Sequence, residues 1–461
     1  MNSLATTGIS WTRGQQLVSS KLIPTCMCVD GKARAQVYNM AKHNSHFECT
    51  YCTHFGVSVD TMRYPMVHED LPPYEDRTHA GMKRDMIQAQ RMVNNGERNV
   101  SVRGHKGITP LMNLKHFNLS EGNAFDDLHN IYECASKYHI EVFIQDVPKL
   151  VPRMGQAAFL QTIDLRLRNI KTPSCIARKP GTCLMKNRSQ MHGTEWRNWL
   201  LYFAPVCLLG LVAGRYIQTL EHLSYATYLL SQDIIFPDHI DIARELTSLP
   251  SMSLEWIRPG AINQVVNRHL IRFSLELAIN DEQRIAPEVK DMMKQILHKR
   301  HHRKALQVDG HSNFLGGSLS RPPTEDELRV LLQEQHNTTL LHVFKRMIIN
   351  GVNYTTASYV KEESRSDDST IYTFQNTFCT IQDIVSFKSD GEDKYGLLVI
   401  EHKMARRPTP LFPTAKHICE VHPDVGLLHF LRIQDVRSPV VKAPLLGALF
   451  FIPLTNVNEI D

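Results

Sequence analysis

Two cysteines three positions apart, Cys49 and Cys52, followed closely by His54, are the residues of this chain best placed to do chemistry. Thiolates at that spacing can share one tetrahedral Zn²⁺, and a closed structural site needs two further ligands. His54, His79 and His129 are the nearest imidazole donors, and two of the three would complete the set. A Cys-x-x-Cys pair also suits redox chemistry or plain burial. The 23 histidines of the chain favour zinc.

Asp30 is the second candidate, standing where the apolar run Leu22 to Val29 ends. Carboxylates at strand ends can hold paired Mg²⁺ ions that activate an attacking hydroxyl and stabilise the leaving oxygen of a phosphodiester. That chemistry needs two or three converging acids, and a lone Asp before a helix serves equally well as its N-cap. Asp126 and Asp127, beside His129, read either as helix caps or as groups contacting a metal or its ligands. Lys299, Arg300, Arg303 and Lys304 form a basic tract. It can neutralise phosphates or simply sit well at a helix C-terminus.

Several elements must position these groups. The apolar run before Asp30 predicts a buried strand, and Ala33, Val37 and Met40 predict a helix after it. Residues 79–95 predict an amphipathic helix with Met82, Met86 and Met92 on one side and Gly96 ending it. Leu111 to Leu119 is a short apolar segment, and a helix opens at Asn123. Helices are expected over 159–169, 195–209, 218–230, 237–246, 260–277 and 287–306. The Gly/Ser/Pro-rich stretch 307–323 reads as a linker. Thr324 with Glu327 forms a capping box. Beyond Phe344, short strands with turns at Asn350-Gly351, Ser389-Asp390-Gly391 and Arg407-Pro408 predict a small β-rich domain.

Composition bounds the function without naming it. At 461 residues and 42% apolar, the chain is globular and long enough for two or three domains. Its net charge of +5 is compatible with a nucleic-acid partner and does not demand one. Irregularly spaced cysteines and no apolar leader predict a reducing compartment, nucleus or cytoplasm. The longest uncharged run, Trp199 to Gly214, is shorter than the ~20 residues of a membrane span and contains Pro205. It predicts a buried, kinked helix, and no membrane partner.

Taken in order, these landmarks resemble the CACTA (En/Spm-like) DDE transposases and the related animal transposase-domain proteins. Cys28-Val29-Asp30 with Ala33-Arg34 and Asn39-Met40 is similar to the family's opening block. Phe47 to His54 resembles its Cys-x-Trp-Cys-x-His knuckle, with Tyr51 in place of Trp. Arg77-Thr78-His79, Lys106 to Leu111, Asp126-Asp127-Leu128-His129 and Glu195 to Leu201 follow in the family's sequence, and the stretch from Pro323 resembles its trailing β domain.

The resemblance implies an α/β fold: a partial ribonuclease-H-like core with its zinc knuckle over residues 1–150 and a helical insertion returning to the core over 151–306. The linker 307–323 and a helix with a β-rich domain over 324–461 complete it. It implies structural Zn²⁺ at Cys49, Cys52 and His129, with His54 or His79 completing the set, and Mg²⁺ at an acidic triad of which Asp30 is the second member.

The departures from the pattern are informative. No acidic residue precedes Asp30, and the family's Glu-bearing block after the helical insertion has no counterpart, Glu255 lacking its motif. One carboxylate does not make a two-metal site. The expected function is therefore that of a transposon-derived protein, catalytically inactive as written, with residual DNA or protein binding. Two other readings stand beside it. One is an active Mg²⁺-dependent cut-and-paste transposase of which this chain is an incomplete record. The other is a host interaction protein without DNA contact.

Overall fold

The carboxylate of Asp30 starts the helix Gly31–Val37, accepting a hydrogen bond from the Ala33 amide at 2.7 Å. Thr78 does the same for His79–Asn94 through Gly81. Both are N-caps that satisfy amides with no partner inside the helix. The computed structural model describes residues 1–42, 45–59, 61–63, 75–124, 126–150, 154–176, 178, 188–248, 305–308, 312–360, 364, 366–405 and 411–455. It divides into two units, Met1–Lys137 with Ile234–Leu275 and Tyr138–Asp233 with Glu276–Asp461. Helices and antiparallel sheets are both present.

In the first unit, Met82, Met86 and Ala89 form the buried stripe of helix His79–Asn94. Ala89 takes the place expected for Met92, because positions 82, 86 and 89 keep to one face at 3.6 residues per turn. This stripe packs with Tyr38, Met40, Phe117 and Leu119. The segment 111–119 that supplies the last two is a 3₁₀ turn, Pro110–Asn113, followed by tight turns. The helix expected from Asn123 is wound as a π-helix over Leu128–Ser136.

The strand expected before Asp30 is not formed. Leu22 and Ile23 are 53% and 46% exposed, and only Met27 pairs, in a parallel bridge to Asn123. An apolar run becomes a buried strand only where neighbouring strands accept its amides. The strands described in this unit are two separate hairpins, β1 (Ile9–Arg13) with β2 (Gln16–Ser20) and β3 (Val57–Val59) with β4 (Thr61–Arg63).

In the second unit the chain Gly193–Asn198, Trp199–Phe203 and Ala204–Leu208 turns as α-, π- and α-helix in succession. The wide π turn falls just before Pro205, which has no amide to donate. Trp196, Trp199, Leu200 and Phe203 are each 2% exposed or less.

The strands of this unit are β5 (Ala305–Gln307), β6 (Ser312–Leu315), β7 (Leu319–Arg321), β8 (Leu341–Phe344), β9 (Arg346–Ile349), β10 (Val352–Thr355), β11 (Thr370–Thr373), β12 (Phe378–Ser389), β13 (Glu392–Met404), β14 (Cys419–Leu431), β15 (Val436–Leu445) and β16 (Ala448–Pro453). Pairings β12–β13–β14–β16–β15–β11 return to β12, so six antiparallel strands close on themselves. Strand β12 makes this possible by splitting one edge: Phe378 to Thr380 pair with β11, Ile384 to Ser386 with β8. The bulge between Ile381 and Asp383 separates the halves and bends the strand.

The predicted turns at Asn350-Gly351 and Asp390-Gly391 are two-residue hairpin loops with positive φ at both positions. Strands β6 and β7 lie within the stretch whose composition predicts a linker. Phe314, 1% exposed and stacked on Phe344, anchors β6 there, and a lone aromatic is masked by surrounding Gly and Ser. The helices expected over 260–277 and 287–306, the basic residues Lys299, Arg300, Arg303 and Lys304, and the Arg407-Pro408 turn lie outside the described residues, save for β5 at the end of the second stretch. Among the described residues no helix is long and apolar enough to cross a membrane.

Candidate metal centre

Cys49 and Cys52 lie in a short looped stretch whose backbone is tied from both sides. His46 contacts the Gly56 carbonyl at 2.6 Å and stacks on Phe55. Residues 51–53 run antiparallel to 75–77: Thr53 N donates to Glu75 O, and Arg77 N to Tyr51 O. Both cysteines are fully buried and their sulfurs are hydrogen-bonded to one another. The Tyr51 amide points at the Cys49 sulfur, 3.4 Å away.

These contacts make the two thiols unequal. The Cys52 hydrogen bond, then the nearby amides and the Arg77 charge, outweigh burial and bring Cys49 down to about 7. The same shared hydrogen bond, with burial, holds Cys52 well above its ordinary value. Cys49 is thus the thiol of the pair that gives up its proton first, and a cation held by both sulfurs would have to displace the proton of Cys52 as well.

The predicted histidines are distributed differently. His54 is buried, two residues past Cys52. His79 has its Nδ1 engaged as acceptor of the Leu119 amide at 3.0 Å. His129 belongs to an acidic cluster: its Nδ1 donates to Asp126 Oδ2 at 2.7 Å, with Glu133 and Asp30 also nearby. Burial opposes protonation of His129, but the Asp126 bond and the three acids together raise its pKa.

Asp126 also accepts the His129 amide, and Asp127 accepts that of Leu128, so both act as caps of the π-helix. Asp30 is exposed; the Ala33 amide, with His129 contributing, keeps it ionised to lower pH than usual. Of the five predicted zinc ligands the structure brings Cys49 and Cys52 together. Among the described residues no three His, Cys, Asp or Glu side chains converge to hold a metal ion. Among the described residues the thiol pair supplies half of a tetrahedral zinc set, and the acids around His129 do not bring Asp30 into a group of three that could hold the metal Mg²⁺ chemistry requires.

Two buried arginines and a buried histidine carry the site's architecture. Arg34, 6% exposed, donates to the Tyr51 hydroxyl and lies over its ring. Arg77, equally buried, donates through Nε to the carbonyls of Cys49 and Cys52 and through Nη2 to that of Arg103. Its Nη1 faces His105 Nε2 at 3.3 Å. His105 is wholly buried, and burial with the Arg77 charge lowers it to about 3, so it is neutral and accepts from Arg77. Asn123 is wholly buried too, with both amide atoms unpartnered. Arg34 and Arg77 fall within the sequence blocks Ala33-Arg34 and Arg77-Thr78-His79, whereas His105 precedes Lys106 to Leu111, and no metal-ligand spacing marks any of the three.

No known protein family, curated protein or solved structure matches the chain.

Proposed function

We propose that this chain is a transposon-derived, transposase-like protein without strand-transfer activity, whose Cys49/Cys52 knuckle is a structural zinc element. Its remaining work is binding, to DNA or to protein partners, in the nucleus or cytoplasm. The observation that carries the reading is the use made of Asp30. Its carboxylate is exposed and engaged at a helix N-terminus, and no convergent acid trio accompanies it among the described residues. A two-metal phosphodiester reaction needs such convergence.

The finer fold reading, a partial ribonuclease-H-like core, is part of this proposal. Its support is the parallel pairing of Met27 with Asn123, which sets the segment leading to Asp30 beside the one leading to Asp126. Zinc, when bound, would tie the looped stretch covalently through Cys49 and Cys52. His54 is the buried histidine closest to them in sequence. Zinc would supply rigidity there and no step of catalysis.

Two measurements on the full-length protein test the binding reading. Metal analysis should find zinc in the wild type and its loss in Cys49→Ser. Affinity for duplex DNA should fall steeply with salt as phosphate contacts release counterions. A metal-free wild type unaffected by Cys49→Ser would overturn the knuckle. Undetectable or salt-insensitive DNA affinity would leave protein partners as the binding function.

A further inference from the structure

Residues 31–47 and 98–120 hold seven Lys and Arg and no Asp or Glu, whereas the whole chain carries a net charge of only +5. The rest of the molecule is therefore net negative. The fold brings these two acid-free stretches together. Met40 bridges His105 in antiparallel fashion, the Ala41 amide donates to Gly104 O at 2.7 Å, and the Lys106 amide donates to Asn39 O at 2.9 Å. Thr109 Oγ1 donates to Val37 O at 2.5 Å, and Asn39 Nδ2 to Ile108 O at 3.3 Å.

This pairing collects like charges. Lys42 and Arg103 come next on the two segments, at the same end of the pairing, and Lys106 stands at the other end. The buried guanidinium of Arg77 lies behind them, its Nη2 donating to Arg103 O at 2.7 Å. Lys42, Arg98, Arg103, Lys106 and Lys115 are all exposed, and among the described residues none of the five is in an ion pair. The other two cations have partners: Arg34 is buried on Tyr51, and Lys32 acts on Asp30. The acids Asp30, Asp126 and Glu133 are grouped around His129. An ordinary solvated face intersperses both signs. Cations set side by side repel until an anion offsets them.

We propose that this surface is the DNA-binding face of the first unit, taking the phosphate backbone of duplex DNA without reading its sequence. The inference rests on the binding reading above and deepens its DNA branch. Backbone phosphates are met by Lys and Arg alone. A single strand also needs aromatic platforms for its bases. The rings of Tyr38 and Phe117 are buried, and Phe47 packs on Phe55, so the two stretches offer no such platform from these residues.

The test measures the affinity of full-length protein for a fluorescein-labelled, random-sequence duplex by anisotropy over a range of salt concentrations. The variant is Lys42→Gln with Arg103→Asn and Lys106→Gln; asparagine suits the φ of +44° at Arg103. Its plot of log affinity against log salt should be shallower than the wild type's by about three, with binding weaker on the order of a hundredfold near physiological salt. Wild-type slope and affinity in this variant would overturn the proposed face. If binding falls instead on neutralising Lys299, Arg300, Arg303 and Lys304, the DNA reading stands and the face does not. A wild type with no duplex affinity would overturn the DNA reading, and the inference with it. Displacement of the duplex by polyglutamate more readily than by unlabelled duplex would replace DNA by an acidic polypeptide. Should circular dichroism show the triple variant unfolded, Arg98→Gln with Lys115→Gln, which leaves the 39–42 and 103–106 pairing untouched, decides the matter. Its slope should be shallower by about two; an unchanged slope counts against the proposal.

Discussion

Glu221 is a carboxylate placed where its charge costs stability, and replacing it with glutamine should show this as a pH-dependent gain. It lies on helix Gly214–Leu230 at 1% exposure, and its Oε2 accepts the Thr414 amide at 3.2 Å. Burial is the largest influence and pushes it up to about 7, with the Thr414 and Ala415 amides pulling the other way. An unfolded Glu titrates near 4.5. Between those values the folded chain keeps a proton that the unfolded chain has lost. The stabilisation is therefore complete below about 4.5 and is lost as pH rises toward 7.

A gap of about 2.5 at about 1.4 kcal/mol per tenfold gives a loss on the order of 3 kcal/mol across the window. Neighbouring histidines act in the opposite sense. His222 and His417 are held neutral by burial, so their protonation opposes folding as pH falls. The difference between wild type and Glu221→Gln cancels those terms. The assay is urea unfolding followed by tryptophan fluorescence, which reports the buried Trp196 and Trp199 of the same unit. Glu221→Gln should gain on the wild type by about 2–3 kcal/mol between pH 5 and pH 8. A stability difference that stays constant over that range would refute the reasoning.

Other perturbations give independent checks. Gly104→Ala places a Cβ 2.1 Å from Phe47 O in a positive-φ position, so it should cost more than about 2 kcal/mol by urea denaturation and expose the cysteine thiols to alkylation. Glu327→Ala removes the partner of Arg321, which forks onto both carboxylate oxygens at 2.6 Å and also meets Asp383 at 3.0 Å, and with it half of the Thr324 capping box. Because Arg321 is 27% exposed, the expected loss is moderate, about 2 kcal/mol, seen in the same unfolding assay.

Local chemistry was readable in the sequence to the extent that it acts over a few residues. The Thr324/Glu327 box, the hairpin loops at Asn350-Gly351 and Asp390-Gly391, and the helix after Asp30 are contacts of near neighbours, and their residue types announce them. The apolar run before Asp30 announced a strand for the same reason, but strand formation depends on distant partners, of which it has a single bridge at Met27. Closure of β11 onto β12 is also non-local: a bulge at Ile381/Asp383 lets one edge serve two neighbours, and nothing in the spacing of Phe378 to Ser389 marks it.

At the site, ligand spacing identified Cys49 and Cys52, which the structure places in contact. It also named His129, whose Nδ1 donates to Asp126, and His79, whose Nδ1 accepts a backbone amide. Arg77 and His105 went unassigned because buried arginines and neutral histidines supporting a backbone have no spacing signature. Their partners are carbonyls, which every residue carries.

The central claim, that Asp30 caps a helix and supports no phosphodiester chemistry, is tested most directly by metal-dependent nicking. Purified full-length protein and Asp30→Ala are incubated with supercoiled plasmid and Mg²⁺ or Mn²⁺. Conversion to open-circular DNA is compared with a metal-free control. The account predicts no nicking above control by either protein, with Asp30→Ala showing only faster amide exchange at Ala33 where the cap was lost. Metal-dependent nicking by the wild type that disappears in Asp30→Ala would contradict it.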